Sequence, residues 1–180
     1  FGSLAPPFFF LAFLGFGFRS AAMPAIPEGV DYISFLAPGI IGMTLLFSST
    51  FGGLSMLWDR EFGFLREIMV APVSRLSIVI GRTAGGVTTA VMQGLIILVP
   101  GMVMGLEISG LGGFLLSLVF MVLIATTFNS LGLAFASRMK DMSGFSLIMN
   151  FMVFPLFLLS GALFPISNLP TWLRSLSYLD

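Results

Sequence analysis

The sequence predicts an all-α fold, a polytopic transmembrane helix bundle with five spans in this stretch of chain. Three observations carry that prediction. Charged residues make up only 9% of the chain and apolar ones 57%, whereas soluble domains run near ~25% charged. Mean hydropathy is +1.08. Between the charged residues lie long uncharged runs at 1–18, 32–58, 83–106, 108–137 and 142–173. About 20 residues of helix cross roughly 30 Å of hydrocarbon, so every run but the first has room to spare. Backbone facing lipid must satisfy its own hydrogen bonds, and the period-two alternation of a membrane barrel is missing from the runs.

Taken in order, residues 1–18, with Phe8-Phe9-Phe10-Leu11 at their centre, read as the far end of a first span. The sequence opens on Phe1 inside an apolar run, without an initiator Met or a basic leading region. It therefore reads as a piece of a longer protein and not as a signal peptide. Residues 19–34, with Arg19, Pro24, Pro27, Glu28 and Asp31, form a polar turn-rich loop. The second span is expected at about 35–57, followed by a charged loop at 58–82. The third span covers about 83–105, with Gln93 near its middle and Pro100-Gly101 towards its end. A short loop at Glu107 leads to a fourth span at about 113–137. Arg138, Lys140 and Asp141 make the next turn, and a fifth span at about 143–164 contains Asn150 and Pro155. In the last segment, 165–180, Trp172, Leu173, Leu176 and Leu179 share one helical face, so it is expected to lie at the outer interface.

Orientation follows from the basic residues, which are retained in the cytoplasm. Successive loops carry one, four, none, two and one of them. By parity the loops at 58–82 and 138–143 fall on the same side, and together they hold six of the eight. Those loops are assigned to the cytoplasm.

The spans contain no charged side chain, and the chain has neither histidine nor cysteine. Proton- and ion-coupled carriers place ionisable groups at membrane depth despite a cost of about 2.5–3.5 kcal/mol or more each, so a relay through these spans is not expected. The only lysine is Lys140, which excludes a phosphate-binding P-loop. A metal set or a nucleophile–base pair is also lacking. Zero net charge gives no general attraction to nucleic acid. This chain therefore has no ATPase site or cofactor of its own, and uphill transport would need energy from another protein.

Polar residues within the spans include Thr44, Ser48, Ser49, Thr50, Thr88, Thr89, Gln93, Thr126, Thr127, Asn129 and Asn150. Two readings stand side by side. In one they line a substrate path, with Thr44, Ser48, Gln93, Asn129 and Asn150 as candidates. In the other they hydrogen-bond neighbouring helices, at about 0.6–2 kcal/mol per pair. Small residues four apart, such as Ser48/Gly52, Gly81/Gly85 and Gly101/Gly105, suit close helix contact.

The stretch 58–75 stands apart. It holds Asp59, Glu61 and Glu67 interleaved with Arg60, Arg66 and Arg75. As a helix it would place Phe62, Leu65 and Met69 on one face and Arg60 and Glu67 opposite. Pro72 would end that helix, and Ser74 could cap the one entering the third span. An ordinary cytoplasmic loop needs only the positive charge; interleaved acids favour a docking surface for a soluble partner.

At these residues the chain resembles the membrane permease of a type-2 ATP-binding-cassette transporter, of the daunorubicin-resistance (multidrug exporter) kind. The resemblance rests on Arg60-Glu61-Phe62-Gly63-Phe64-Leu65-Arg66-Glu67 running to Ala71-Pro72-Val73-Ser74-Arg75. It rests also on Ser160-Gly161-Ala162-Leu163-Phe164-Pro165 with Leu169-Pro170-Thr171-Trp172-Leu173, and on the turn from Ser137-Arg138 to Asp141. It implies a six-helix permease half in a prokaryotic plasma membrane, paired with a second half as a homo- or heterodimer. A cytoplasmic ATPase subunit, carrying the ATP and Mg, would bind each half. The loop after the second span would be a coupling helix, with Arg60, Glu61, Phe62, Gly63, Leu65, Arg66, Glu67 and Pro72 docking to that ATPase. The segment after Pro165 would be an outer re-entrant region. The expected function is ATP-driven export of a lipophilic, drug- or lipid-like substrate. The alternatives are a stand-alone channel or secondary carrier, and a non-transporting membrane scaffold.

Overall fold

The computed structural model describes residues 5–17, 32–63, 72, 74–106, 108, 110–139 and 141–161. The elements found there are the helices α1 (Ala5–Gly17), α2 (Tyr32–Glu61), α3 (Arg75–Met104), α4 (Gly110–Arg138) and α5 (Met142–Leu159). The chain is a polytopic helical bundle. Helices α2 to α5 are long and apolar enough to cross a membrane. With 13 residues, α1 reaches about 20 Å; residues 1–4 and 18 of the run expected to end a first span lie outside the described residues. The loop at 19–31, Lys140 and the segment 165–180 lie outside the described residues.

Local chemistry sets the helix ends. Ser74 caps α3, its Oγ accepting the Ser77 N–H at 3.1 Å, and Asp141 caps α5, its Oδ2 accepting the Gly144 N–H at 2.8 Å. Each satisfies a donor that the first turn leaves unpaired. Gly105 closes α3 at φ 118, a conformation that glycine adopts without strain. Leu106 N–H then returns to the Gly101 carbonyl at 2.9 Å.

The register of the bundle can be read from its contacts. Asp59 pairs with Arg82, Leu45 lies beside Gly94, and Ala37 beside Gly101, so α2 and α3 run antiparallel. Ser49 meets Asn129 with an offset of 80, and Arg60 meets Met139 with an offset of 79, so α2 and α4 run parallel. The turns after α2 and after α4 therefore share one end of the bundle, which is the charged end.

Helix α2 is the central element and packs against each of the other four. Leu36, Ile40 and Leu45 are buried with Leu11 of α1, Ile97 and Leu98 of α3, and Met121 and Ala125 of α4. On another side Leu46 meets Val153 and Phe157 of α5. The outward faces are equally apolar. Leu115, Leu116, Val119 and Leu123 of α4, and Leu147, Phe151 and Leu158 of α5, are exposed. Apolar surface of this kind suits lipid, and in lipid it is close packing and hydrogen bonding that hold helices together.

Two expectations are corrected. The stretch 58–75 is not one helix. Trp58 to Glu61 complete α2, Phe62 N–H bonds the Trp58 carbonyl at 2.9 Å, and Gly63 breaks the helix at φ 80. The shared face of Phe62, Leu65 and Met69 is therefore not carried by a helix running from 58, and 64–71 lie outside the described residues. The second correction concerns the hydroxyls. Thr44, Thr50, Thr88, Thr89, Thr126 and Thr127 each donate to the carbonyl four residues back in their own helix, at 2.7–3.0 Å. That local bond removes the need for an interhelical partner, which is why Thr126 and Thr127 can stand exposed on α4.

Candidate functional site: a cavity between α2 and α3 above a charged end

Helical spacing puts two stripes on one side of α2. Met43, Phe47 and Phe51 recur every four residues, and beside them run Thr44, Ser48, Gly52 and Ser55, ending at Asp59. Helix α3 answers with Arg82, Gly85, Gly86, Thr89 and Gln93. Because α2 and α3 run antiparallel, these polar and small residues face one another. They line an open-sided cavity of about 870 Å³ together with Pro7 of α1. Drug-sized ligands occupy cavities of roughly 300–1,000 Å³.

At the charged end the cavity closes on the ion pair between Arg82 and Asp59, whose side chains are 19% and 28% exposed. Arg82 lines the cavity and Asp59 does not. At the next residue, Arg60 Nη1 donates to the Met139 carbonyl at 3.2 Å, tying the end of α2 to the turn that precedes α5.

Behind the cavity sits Asn129 of α4, with 0% of its surface exposed. Its Nδ2 donates to the Ser49 carbonyl at 3.4 Å. The amide fits because two neighbouring residues have no side chain. A Cβ on Gly52 would lie 2.3 Å from Nδ2, and one on Gly86 only 1.9 Å from it. Asn129 Oδ1 and Ser49 Oγ are buried without a partner among the described residues.

The residues expected to line a path divide accordingly. Thr44, Ser48 and Gln93 share the large cavity. Asn129 is packed behind it. Asn150 opens instead onto a separate space of about 70 Å³ with Phe47, Thr50, Phe51 and Phe145. Of the residues expected to dock a partner, Arg60, Glu61, Phe62 and Pro72 are exposed, Phe62 by 82%, and Gly63 makes the turn. Leu65, Arg66 and Glu67 lie outside the described residues.

Sequence reasoning singled out Gly52, as the partner of Ser48, but missed Arg82, Gly53 and Gly86. The doublet Gly52-Gly53 was the available signal, since adjacent glycines let α2 meet Asn129 and Gly132 of α4 and Phe145 of α5 at one level. Of the pairs that were singled out, Gly81 and Gly85 would place a Cβ with no atom of the described residues within 4 Å.

The ion pair is partly buried, so its worth should lie between that of exposed pairs, about 0–1 kcal/mol, and the about 3–5 kcal/mol lost when a fully buried pair is broken. Asp59→Ala and Arg82→Ala are each expected to lower stability by ~1–2 kcal/mol. The double variant should lose clearly less than the two together, as read by thermal unfolding in detergent. Strictly additive losses would mean that the pair contributes nothing.

Similarity to known proteins places this arrangement. The ycf38 protein of Cyanophora paradoxa, whose name describes it as a transport permease, is 28% identical over 178 residues, or 97% of this chain. The protein named as a probable multidrug ABC transporter permease, YbhR of Escherichia coli (strain K12), is 29% identical over 153 residues, or 84% of the chain. Nodulation protein J of Sinorhizobium fredii (strain NBRC 101917 / NGR234) is 27% identical over 180 residues, covering 99% of this chain and 67% of its own length. The chain spans 60% of the length of the ycf38 relative and 41% of YbhR. No solved structure matches significantly. Residues 1–180 match the ABC-2 type transporter family over their whole extent, and the chain belongs to that family.

Proposed function

We propose that the chain is the membrane part of a permease subunit that exports a lipophilic, drug- or lipid-like substrate from the cytoplasm. The energy comes from ATP, bound with Mg and hydrolysed on a separate ATPase subunit, and a second permease half completes the transporter in a prokaryotic plasma membrane. The observation that most supports this reading is the charged end. There α2 runs on past its apolar stretch to present Arg60, Glu61 and the exposed Phe62, while Arg60 also holds the turn before α5. A partner that moved this end would therefore act on two turns together. The similarity to a protein named a probable multidrug ABC transporter permease supports the substrate class.

The mechanism that follows is alternating access. ATP binding favours one arrangement of the docked subunits, and the helices around the cavity shift with it. This requires that ATP bind one state more tightly than the other.

A single cysteine in the full-length protein tests the docking. Gly63 is a poor site because its φ of 80 strains any side chain, so the substitution is Phe62→Cys. Crosslinking to the ATPase encoded beside the permease, with a yield that changes on adding ATP, is the expected result. A folded permease that gives no crosslink with the ATPase present would remove the motor and return the carrier, channel and scaffold readings to the front.

A further inference from the structure

We infer that the cavity between α2 and α3 binds an anionic amphiphile, with its acidic head at Arg82 and its chain along the apolar stripe of α2. This deepens the permease reading and rests on it for the role of the site, though not for the binding itself.

The chemistry of the wall points to an anion. Among the described residues, Arg82 is the only charged one lining the cavity. A guanidinium offers five N–H donors in a fixed fork, and Asp59 engages it through Nη2 alone, leaving donors for a second anion. The Ser48 and Ser55 hydroxyls line the same cavity and make no hydrogen bond among the described residues, so each has a proton to donate. A phosphate or carboxylate accepts from such groups, and a guanidinium binds it in two-point fashion. A cationic head would meet Arg82 instead of Asp59, which lies outside the lining.

The shape of the wall points to an amphiphile. Met43, Phe47 and Phe51 form a continuous apolar stripe rising about 12 Å along α2 and starting beyond Ser55 as seen from the charged end. A molecule with its head at Arg82 would lay its chain along that stripe. Two sources share this chemistry, an anionic lipid of the bilayer and a transported substrate.

The test uses the full-length permease with its ATPase in phosphatidylcholine nanodiscs, with dodecyl phosphate and dodecyltrimethylammonium as probes of equal chain length. Saturable binding of dodecyl phosphate is expected to be roughly tenfold or more tighter, the scale of charge-assisted hydrogen bonds. Arg82→Gln should erase the difference. Asp59→Asn, which keeps Arg82 and removes the competing carboxylate, should strengthen dodecyl phosphate binding several-fold, so the proposal does not hang on one variant folding. Equal affinities for the two probes, or a preference unchanged in both variants, would overturn it.

A second arm separates the sources. ATP-dependent movement of dodecyl phosphate across proteoliposomes marks a transported molecule. Displacement of dodecyl phosphate by phosphatidylglycerol, without movement, marks a resident lipid. Binding is read without ATP, so its failure is distinct from failure of the motor to crosslink.

Discussion

Gly53→Ala is expected to be the most damaging small substitution in the bundle. A Cβ at this position would stand 2.6 Å from the Gly132 carbonyl oxygen, 2.7 Å from its carbon, and 2.7 Å from the Phe145 ring. The first two atoms are backbone of the parallel helix α4 and cannot rotate away. The helices would have to part, and with them the contacts of Leu57, Ala136, Phe145 and Met149, which are buried together at this level. Overpacking of well-packed sites costs about 1–3 kcal/mol, occasionally more, and this site should fall at or above the top of that range. Thermal unfolding in detergent measures it. Gly42→Ala is the control on the same helix, since nothing among the described residues lies within 4 Å of where the new Cβ would stand. A Gly53→Ala protein as stable as the control would sink the claim that backbone meets backbone here.

Gly86→Ala is expected to lose nearly as much, but for a reason that a second change can repair. Its Cβ would overlap the Asn129 amide, which is held by α2 on its other side. The single variant should be destabilised by ~2–3 kcal/mol. Combining it with Asn129→Ala should recover most of that, with a coupling of about 1–3 kcal/mol between the two sites. Gly85→Ala, one residue away with an open Cβ, should be neutral or gain up to ~1 kcal/mol from helix propensity. If Gly86→Ala and Gly85→Ala behave alike, Asn129 does not sit between α2 and α3 as described.

These two sites also mark where reading the sequence stopped. Helix identity and order were legible because uncharged runs of twenty or more residues admit one backbone solution in lipid. The cap at Ser74 was read, since a short polar side chain before an apolar run satisfies the first turn; Asp141 offered the same signal but was read only as part of a turn. Register was not legible. Lipid-facing and core-facing residues are alike apolar here, as Leu116 and Leu45 illustrate, so no amphipathic stripe says which faces meet. Small residues say it instead, and with 21 glycines in the chain only the structure separates Gly86, which a neighbour fills, from Gly81, which faces open space. Arg82 was missed for a related reason. Counted as a loop residue on the positive side, it turned out to lie inside α3, where Asp59 offsets the cost of holding a charge beside a cavity.

The contact between Gly53 and Gly132 also divides α2 unequally. From Gly53 to the end of the helix at Glu61 is about 12 Å, and from Gly53 back to Pro38, where a kink is expected, about 22 Å. A rigid rod held at that point is a lever with arms in a ratio of about one to two. Tilting it enough to shift the charged end by ~1 Å would swing the Pro38 end by up to ~2 Å, Thr44 by about 1 Å and Ser48 by about half of that. A displacement at the charged end would then reach Thr44 undiminished and grow only towards Pro38, with no change of rotamer or secondary structure in between.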